Sequence, residues 1–358
     1  MKRILLASTA LVVLAGAAAA EVSWSGAATL EYNDDITDGF DFDVDLDVTL
    51  SQTLDNGLTA SASFGFELTD GEDDEVDSDG FVADNNATLS LSSDTASLIF
   101  GDTAYAAETY WSGVTNMAED AFSEADGETV MRGEAMFGGV TAGLSYILYN
   151  DTIGDVTGGS GNANGDLEQL SLGVTADVGA VNVILAYQEE VDGDFAADFV
   201  LFNGDNNANE VFGLAVSGSF GGADVTFAYA QDDDEDSTGI EVAYPIGPVT
   251  ATFFYVSESA IDDSYGIAVA YSDGPLSIDA FYHDGGDEDA GINMEYDLGN
   301  GIVAFAGGSD DDGQYIGAEY DLGGGATFTA SYGDDTGNDE IGPRDVKDGT
   351  TLSLSFAF

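Results

Sequence analysis

The sequence predicts an all-β protein, a closed antiparallel transmembrane β-barrel with an even number of strands. Three features point there: an export signal at the start, a sustained alternation of apolar and polar residues, and an apolar strand at the carboxyl end. Successive side chains of a strand face opposite ways, so period-two alternation gives one apolar and one polar face. Within a bilayer every backbone polar group must be satisfied inside the protein, which leaves helices or closed barrels.

Residues 1–20 carry Lys2 and Arg3, an apolar run over residues 4–13, and Ala18, Ala19 and Ala20 ahead of Glu21. That order predicts a secretory signal peptide removed after Ala20, with residues 21–358 forming a single barrel domain. No later stretch offers about 18 continuous apolar residues, so strands rather than helices are expected to cross a membrane.

Composition excludes several classes. Cysteine is absent, which rules out disulfides and thiolate metal centres. A hydrophobic content of 44% argues against general disorder, and 47 Gly against 4 Pro suits strands joined by tight turns. All 69 acidic residues follow the signal, opposed only by Arg132, Arg344 and Lys347, so removing Lys2 and Arg3 moves the formal charge from -64 to -66. Such a field repels nucleic acid and concentrates cations.

Alternation is clearest over residues 40–50. Phe40, Phe42, Val44, Leu46, Val48 and Leu50 face one way, and Asp41, Asp43, Asp45 and Asp47 the other. A row of carboxylates needs water on its side and apolar matter opposite, as a wall between lipid and a wet lumen provides. The pattern recurs where Ala60, Ala62, Phe64 and Phe66 oppose Ser61, Ser63 and Glu67. It recurs again where Ile316, Ala318 and Tyr320 oppose Gly317 and Glu319. The chain closes on Leu352, Leu354, Phe356 and Phe358 against Ser353, Ser355 and Ala357, a strand placed to pair with the first.

Short Gly-rich turns, such as Gly138-Gly139 and Gly221-Gly222, alternate with longer acidic connections at residues 69–80, 150–166, 189–208, 232–237 and 333–349. Short turns on one rim and long loops on the other match an outer-membrane barrel. Tyr187, Tyr229, Tyr244, Tyr255, Tyr271, Tyr282, Tyr296, Tyr320 and Tyr332 end apolar faces, as an interfacial girdle requires. Counting the runs gives about twenty strands, and ends on the same side demand an even number. One connection, about 27 residues between residues 96–101 and Thr129, is out of scale. It is the third long loop, and Tyr105, Tyr110, Trp111, Met117 and Phe122 give it apolar material for packing.

The segment Glu21-Val22-Ser23-Trp24-Ser25-Gly26, the pair Gly101-Asp102, the turn Tyr320-Asp321-Leu322-Gly323-Gly324-Gly325 and the terminal Phe358 occur in a telling order. In them the whole mature chain resembles the general porins of Gram-negative outer membranes, in particular the acidic alphaproteobacterial, purple-bacterial type. That resemblance implies a homotrimer of sixteen-stranded, water-filled barrels in the outer membrane, with the third loop folded into each lumen. It implies a pore constriction made by loop carboxylates, here Glu108, Glu119, Asp120, Glu124, Asp126 and Glu128, facing basic residues across the pore. Only Arg132 is available near the opposing wall, while Arg344 and Lys347 fall in the last long loop, at the mouth.

The resulting expectation is passive diffusion of ions and small hydrophilic solutes with a preference for cations. Lumen-facing carboxylates at Asp41, Asp43, Asp45, Asp47, Glu67, Glu241, Asp279, Glu295 and Glu319 would supply that preference. No catalytic residue is assigned, since His283 is the lone histidine. No cofactor is required. The acidic loops offer hard oxygen donors for Ca²⁺ or Mg²⁺, with Asp73, Asp74, Asp233, Asp234, Asp311 and Asp312 as candidates, and divalent ions there would bridge lipopolysaccharide phosphates. A secreted soluble calcium-binding β-protein or surface adhesin is one alternative, and an outer-membrane barrel enzyme built around His283 is another.

Overall fold

A computed structural model describes residues 20–35, 39–69, 80–83, 86–124, 129–148, 167–191, 206–285, 288–310, 313–335, 340–341, 343–344 and 346–358. The predicted signal segment before Ala20 lies outside the described residues, as do Asp73, Asp74, Asp126, Glu128, Asp311 and Asp312.

The sheet opens with β1 (Glu21–Asn33), β2 (Phe40–Thr53) and β3 (Thr59–Thr69). Next come β4 (Gly80–Ala83) and β5 (Thr88–Ser92), which both pair with β3 as two pieces of one interrupted stave. After β6 (Ala96–Gly101), the long connection holds a single helical turn, α1 (Ala106–Tyr110). The wall continues through β7 (Val130–Phe137), β8 (Val140–Leu148), β9 (Leu167–Val178), β10 (Val181–Gln188), β11 (Val211–Phe220) and β12 (Ala223–Asp232). It proceeds with β13 (Glu235–Ile246), β14 (Val249–Glu258), β15 (Ser264–Asp273) and β16 (Leu276–Asp284). Then follow β17 (Asp289–Gly299), β18 (Ile302–Ser309), β19 (Gly313–Gly323) and β20 (Ala326–Asp335). The last connection contains a small hairpin of β21 (Glu340–Ile341) and β22 (Val346–Lys347), before β23 (Gly349–Ala357) returns to the wall.

Every stave is antiparallel to its neighbours, and β23 pairs with both β20 and β1, so the sheet closes on itself. Ala27 to Asn33 lie opposite Ala357 to Thr351 at this seam, and the amide of Phe358 adds a bond to Gly26 O at 2.9 Å. With β4 and β5 as one stave, the barrel has 20 strands. The direct count from alternation therefore holds, and the sixteen implied by the family's usual number does not. Hairpins from β11 to β20 are compact, each strand announced by its own run of alternation, so the local pattern outweighs the class average.

The acidic run at residues 232–237 is not a long loop. Strands β12 and β13 continue through it and turn only at Asp233 and Asp234, with Asp233 at φ 50°. Asp tolerates that left-handed conformation, so a charged run can still make a tight hairpin. Between β12 and β19 both rims are short, and the longer connections cluster around β1 to β11 and ahead of β23.

Register pairing carries one continuous face around the barrel. The outer face bears Trp24, Leu30, Phe40, Leu89, Leu144, Phe227, Phe253, Ile267, Ile292, Ile316, Phe328 and Leu352, all exposed. A closed band of exposed large apolar side chains is what a bilayer covers. The nine tyrosines named above all share the outer face, and they separate by strand end. Tyr187, Tyr229, Tyr255, Tyr282 and Tyr332 lie near the loop ends, Tyr244, Tyr271, Tyr296 and Tyr320 near the tight turns. The buried apolar clusters do not fill the barrel. They lie where inward loops press on the wall, as with Val114 and Met117 against Ala215, Ala228, Ala230 and Val256.

Candidate functional site

The inner face is polar or small along most of its circumference. Asp41, Asp43, Asp45 and Asp47 share it on β2, Glu67 on β3, Glu241 on β13, Asp279 on β16, Glu295 on β17 and Glu319 on β19. Three of its cross-strand pairs join like charges, Asp45 with Glu67, Glu31 with Asp41 and, at a hairpin end, Asp232 with Glu235. Carboxylates directly opposite one another repel, so water or a counter-charge must stand beside them, as Lys347 does at Glu31.

The third long loop runs inside the barrel along one arc. Its start is fixed by the amides of Ala106 and Ala107, which donate to Ser145 Oγ and Ser171 Oγ, both at 2.8 Å. Farther along, Thr115 Oγ1 donates to Glu241 Oε2 at 2.7 Å, and Ser264 Oγ donates to Asn116 O at 3.1 Å. The loop turns back there. Ala118 N–H donates to Glu258 Oε1 and Glu119 N–H to Ser237 Oγ, each at 3.0 Å. Ser123 N–H then reaches Gln188 Oε1 at 2.8 Å. Inward side chains of β8 to β15 thus anchor the loop, and those of β8, β9, β10 and β13 satisfy amides that would otherwise be buried without partners.

Glycines make room for this path. A Cβ on Gly143 would come within 2.6 Å of the Tyr110 ring, and one on Gly173 within 2.3 Å of Ala106 O. At Gly213 it would meet the Trp111 ring at 2.4 Å, and at Gly239 the Val114 Cβ at 2.8 Å. Together they form a track of bare backbone on which the loop's apolar residues lie. The sequence reading missed these glycines. Their signal was a lone Gly inside an otherwise regular strand, which marks close approach by another segment.

The predicted constriction acids take different roles. Glu108 accepts the Tyr105 N–H at 3.2 Å and so caps the first turn of α1. Glu119 is buried, and this burial, reinforced by the charges of Glu235, Asp232, Glu258 and Asp236, raises its pKa. Asp120 is also raised by burial, although the hydrogen bond from Trp111 Nε1 at 2.8 Å pulls the other way. Glu124 is exposed.

Arg132 does not face the loop across a gap. Its Nη1 donates to Ala104 O at 2.6 Å and to Thr109 Oγ1 at 2.7 Å, while Nε lies 3.2 Å from Glu134 Oε1. It stands on β7, immediately after the loop, so its reach ends on the loop's own base. Sequence proximity to the loop therefore placed it on the wrong side of the pore.

Arg344 and Lys347 are not confined to the mouth. Arg344 Nη1 donates to Glu295 Oε1 and Nη2 to Glu319 Oε2, the latter at 3.2 Å, with the guanidinium 4.0 Å above the Phe305 ring. Glu295 and Glu319 are mid-strand, so the last connection descends onto the inner wall. Lys347 Nζ donates to Glu31 Oε1 at 2.7 Å, and Val346 packs with Phe305 and Tyr315. In stave order these contacts, spread from β17 to β1, lie across the barrel from the β8–β15 arc. Arg132, Arg344 and Lys347 thus each pin an inward loop.

Among the described residues no group of three or more His, Cys, Asp or Glu side chains is arranged to hold a metal ion. Asp233 and Asp234 are exposed turn residues, and the neighbouring Asp232 carboxylate accepts from Asn207 Nδ2 at 2.7 Å and Asn209 Nδ2 at 2.8 Å. His283 is stacked on Phe281 at 5.7 Å with its Nε2 3.9 Å from Asp289 Oδ2.

Comparison with known families matches residues 7–340 to the family described as Gram-negative porin. Among solved structures, a triple mutant of the Rhodopseudomonas blastica porin is 15% identical with a TM-score of 0.42, covering 94% of this chain and 100% of that one. A further porin structure is 17% identical with a TM-score of 0.37 over the same shares. No curated protein matches.

Proposed function

Since the chain belongs to the Gram-negative porin family, we propose that, after loss of residues 1–20, its barrel is a water-filled channel passing ions and small hydrophilic solutes, with cations preferred. The protein is an integral β-barrel of the outer membrane. The observation that carries the proposal is the carboxylate-lined inner face of the closed barrel, with a like-charge pair at Asp45–Glu67.

Size supports the hydrated lumen. Strands about 4.8 Å apart, tilted about 40°, close in a barrel of this strand number at a backbone radius of about 20 Å. Side chains cannot fill that width, and the described residues of the third loop bond to the wall along the arc from β7 to β15. Cations are drawn in by Asp41, Asp43, Asp45, Asp47, Glu67, Asp279 and the exposed Glu124, while Glu119 and Asp120 act in narrowing the arc. The preference comes from a field screened over about 8 Å at physiological salt.

The same reading includes a homotrimer, in which apolar outer faces meet between copies. Divalent ions enter as permeant and exchangeable counterions, including bridges from acidic loops to lipopolysaccharide phosphates, and no resident metal or cofactor is needed. Planar-bilayer recording with refolded mature protein tests the channel. Stepwise conductance in KCl, with swelling of proteoliposomes in small neutral sugars, is the expected result. Verified insertion without either would contradict it.

A further inference from the structure

We infer that the inner wall at β17–β19 is a recognition site for guanidinium-bearing solutes, and that Arg344 is its tethered occupant. This rests on the channel reading, because a solute reaches the site only through the lumen. Phe305 lies on the inner face between Glu295 on β17 and Gly317 on β19, as their register pairing fixes. Gly317 lets the ring extend over its backbone, since a Cβ there would meet the Phe305 ring at 2.3 Å. The Arg344 guanidinium covers that ring at 4.0 Å, with its two terminal nitrogens donating to Glu295 and Glu319.

An aromatic face with two divergent carboxylates suits a planar, delocalised cation. Guanidinium stacks on the ring and directs N–H groups outward in its own plane, whereas an ammonium is a compact charge that prefers its water. Two carboxylates against one guanidinium also leave the site net negative while it is occupied. Its polar rim is open to the lumen, with the side chains of Glu295 and Glu319 37% and 40% exposed and that of Arg344 26% exposed, while the Phe305 ring beneath is buried. A tethered ligand competes at an effective concentration in the millimolar range, so a free guanidinium solute at similar concentration displaces it.

The test uses the full mature chain in planar bilayers, with arginine amide or lysine amide added on one side and block of the KCl current recorded. Arg344→Ala removes the competitor, so the half-blocking concentration of arginine amide should fall about tenfold relative to the unaltered chain. Adding Phe305→Leu, or Glu295→Gln with Glu319→Gln, should raise it again, and lysine amide should block more weakly than arginine amide throughout. Arg344→Lys keeps the charge and should give an intermediate value, which preserves the test if the alanine variant does not insert. Equal block with and without Arg344, no effect of Phe305→Leu, or equal block by the two amides would overturn the site. A channel that conducts KCl but shows no block defeats the site alone. Inserted protein that never conducts defeats the channel reading as well.

Discussion

Trp111 Nε1 donates to Asp120 Oδ2 at 2.8 Å and thereby ties the outgoing arm of the inward loop to its returning arm. The same indole seats against Gly213 and lies 5.6 Å from the Phe122 ring, so one side chain joins wall, outgoing arm and return. Trp111→Leu should leave the half-buried Asp120 without its donor and cost the docked loop about 1–3 kcal/mol. Faster proteolysis within the loop of the inserted protein is the expected readout, whereas Asp120→Asn, which keeps an acceptor, should change little.

The glycine track makes a separate steric prediction. At Gly213 any side chain meets the Trp111 ring, and at Gly173 it meets loop backbone. Overpacking of this kind costs about 1–3 kcal/mol. Gly213→Val and Gly173→Val should push the loop off the wall toward the pore axis and reduce single-channel conductance. The same change at Gly133, where a Cβ meets nothing within 4 Å, should leave conductance unaltered.

Acid should tighten the loop. Glu119 and Asp120 have docked pKa values raised above their ordinary 4.5 and 3.8, mainly by burial. Their neutral forms therefore favour docking, a contribution fully present below the ordinary values and lost as pH rises through the raised ones. Amide hydrogen exchange in the loop, corrected for intrinsic rate, should be slower at pH 4 than at pH 7. Glu119→Gln combined with Asp120→Asn should flatten the difference, and an equally steep profile in that variant would refute the assignment.

Arg132→Ala should free the base of the loop. It removes bonds to Ala104 O and Thr109 Oγ1 and leaves Glu134 without its ion pair. Loss of bonds from a charged donor costs about 1.5–3 kcal/mol. Open-channel noise should increase, and Arg132→Lys, which keeps the charge but not the fork, should recover only part of the quiet state.

Much of the wall was legible in the sequence, because a strand's two faces are written in adjacent residues. Phe40 to Leu50 needed no tertiary information, since each Asp alternates with an apolar neighbour and only one arrangement satisfies both. The destinations of long-range partners were not written anywhere. Nothing local to Arg344 announces Glu295 and Glu319, and Arg132 looked like an opposing charge only because it follows the loop in sequence. Gly143, Gly173, Gly213 and Gly239 read as interruptions of a pattern, while their purpose depends on which loop residues come to rest there. The acidic run ending at Ser237 looked like a loop because charge is a poor guide to turn length when Asp itself can adopt the turn conformation.

The central claim, a lumen whose carboxylates favour cations, is tested most directly by the zero-current potential of the mature protein across a tenfold KCl gradient. The dilute side should become positive by tens of millivolts, below the ideal limit of about 59 mV. The potential should shrink when both solutions are made more concentrated at the same ratio, as screening shortens the reach of the wall. A potential near zero at low salt, or a dilute side that becomes negative, would contradict the account.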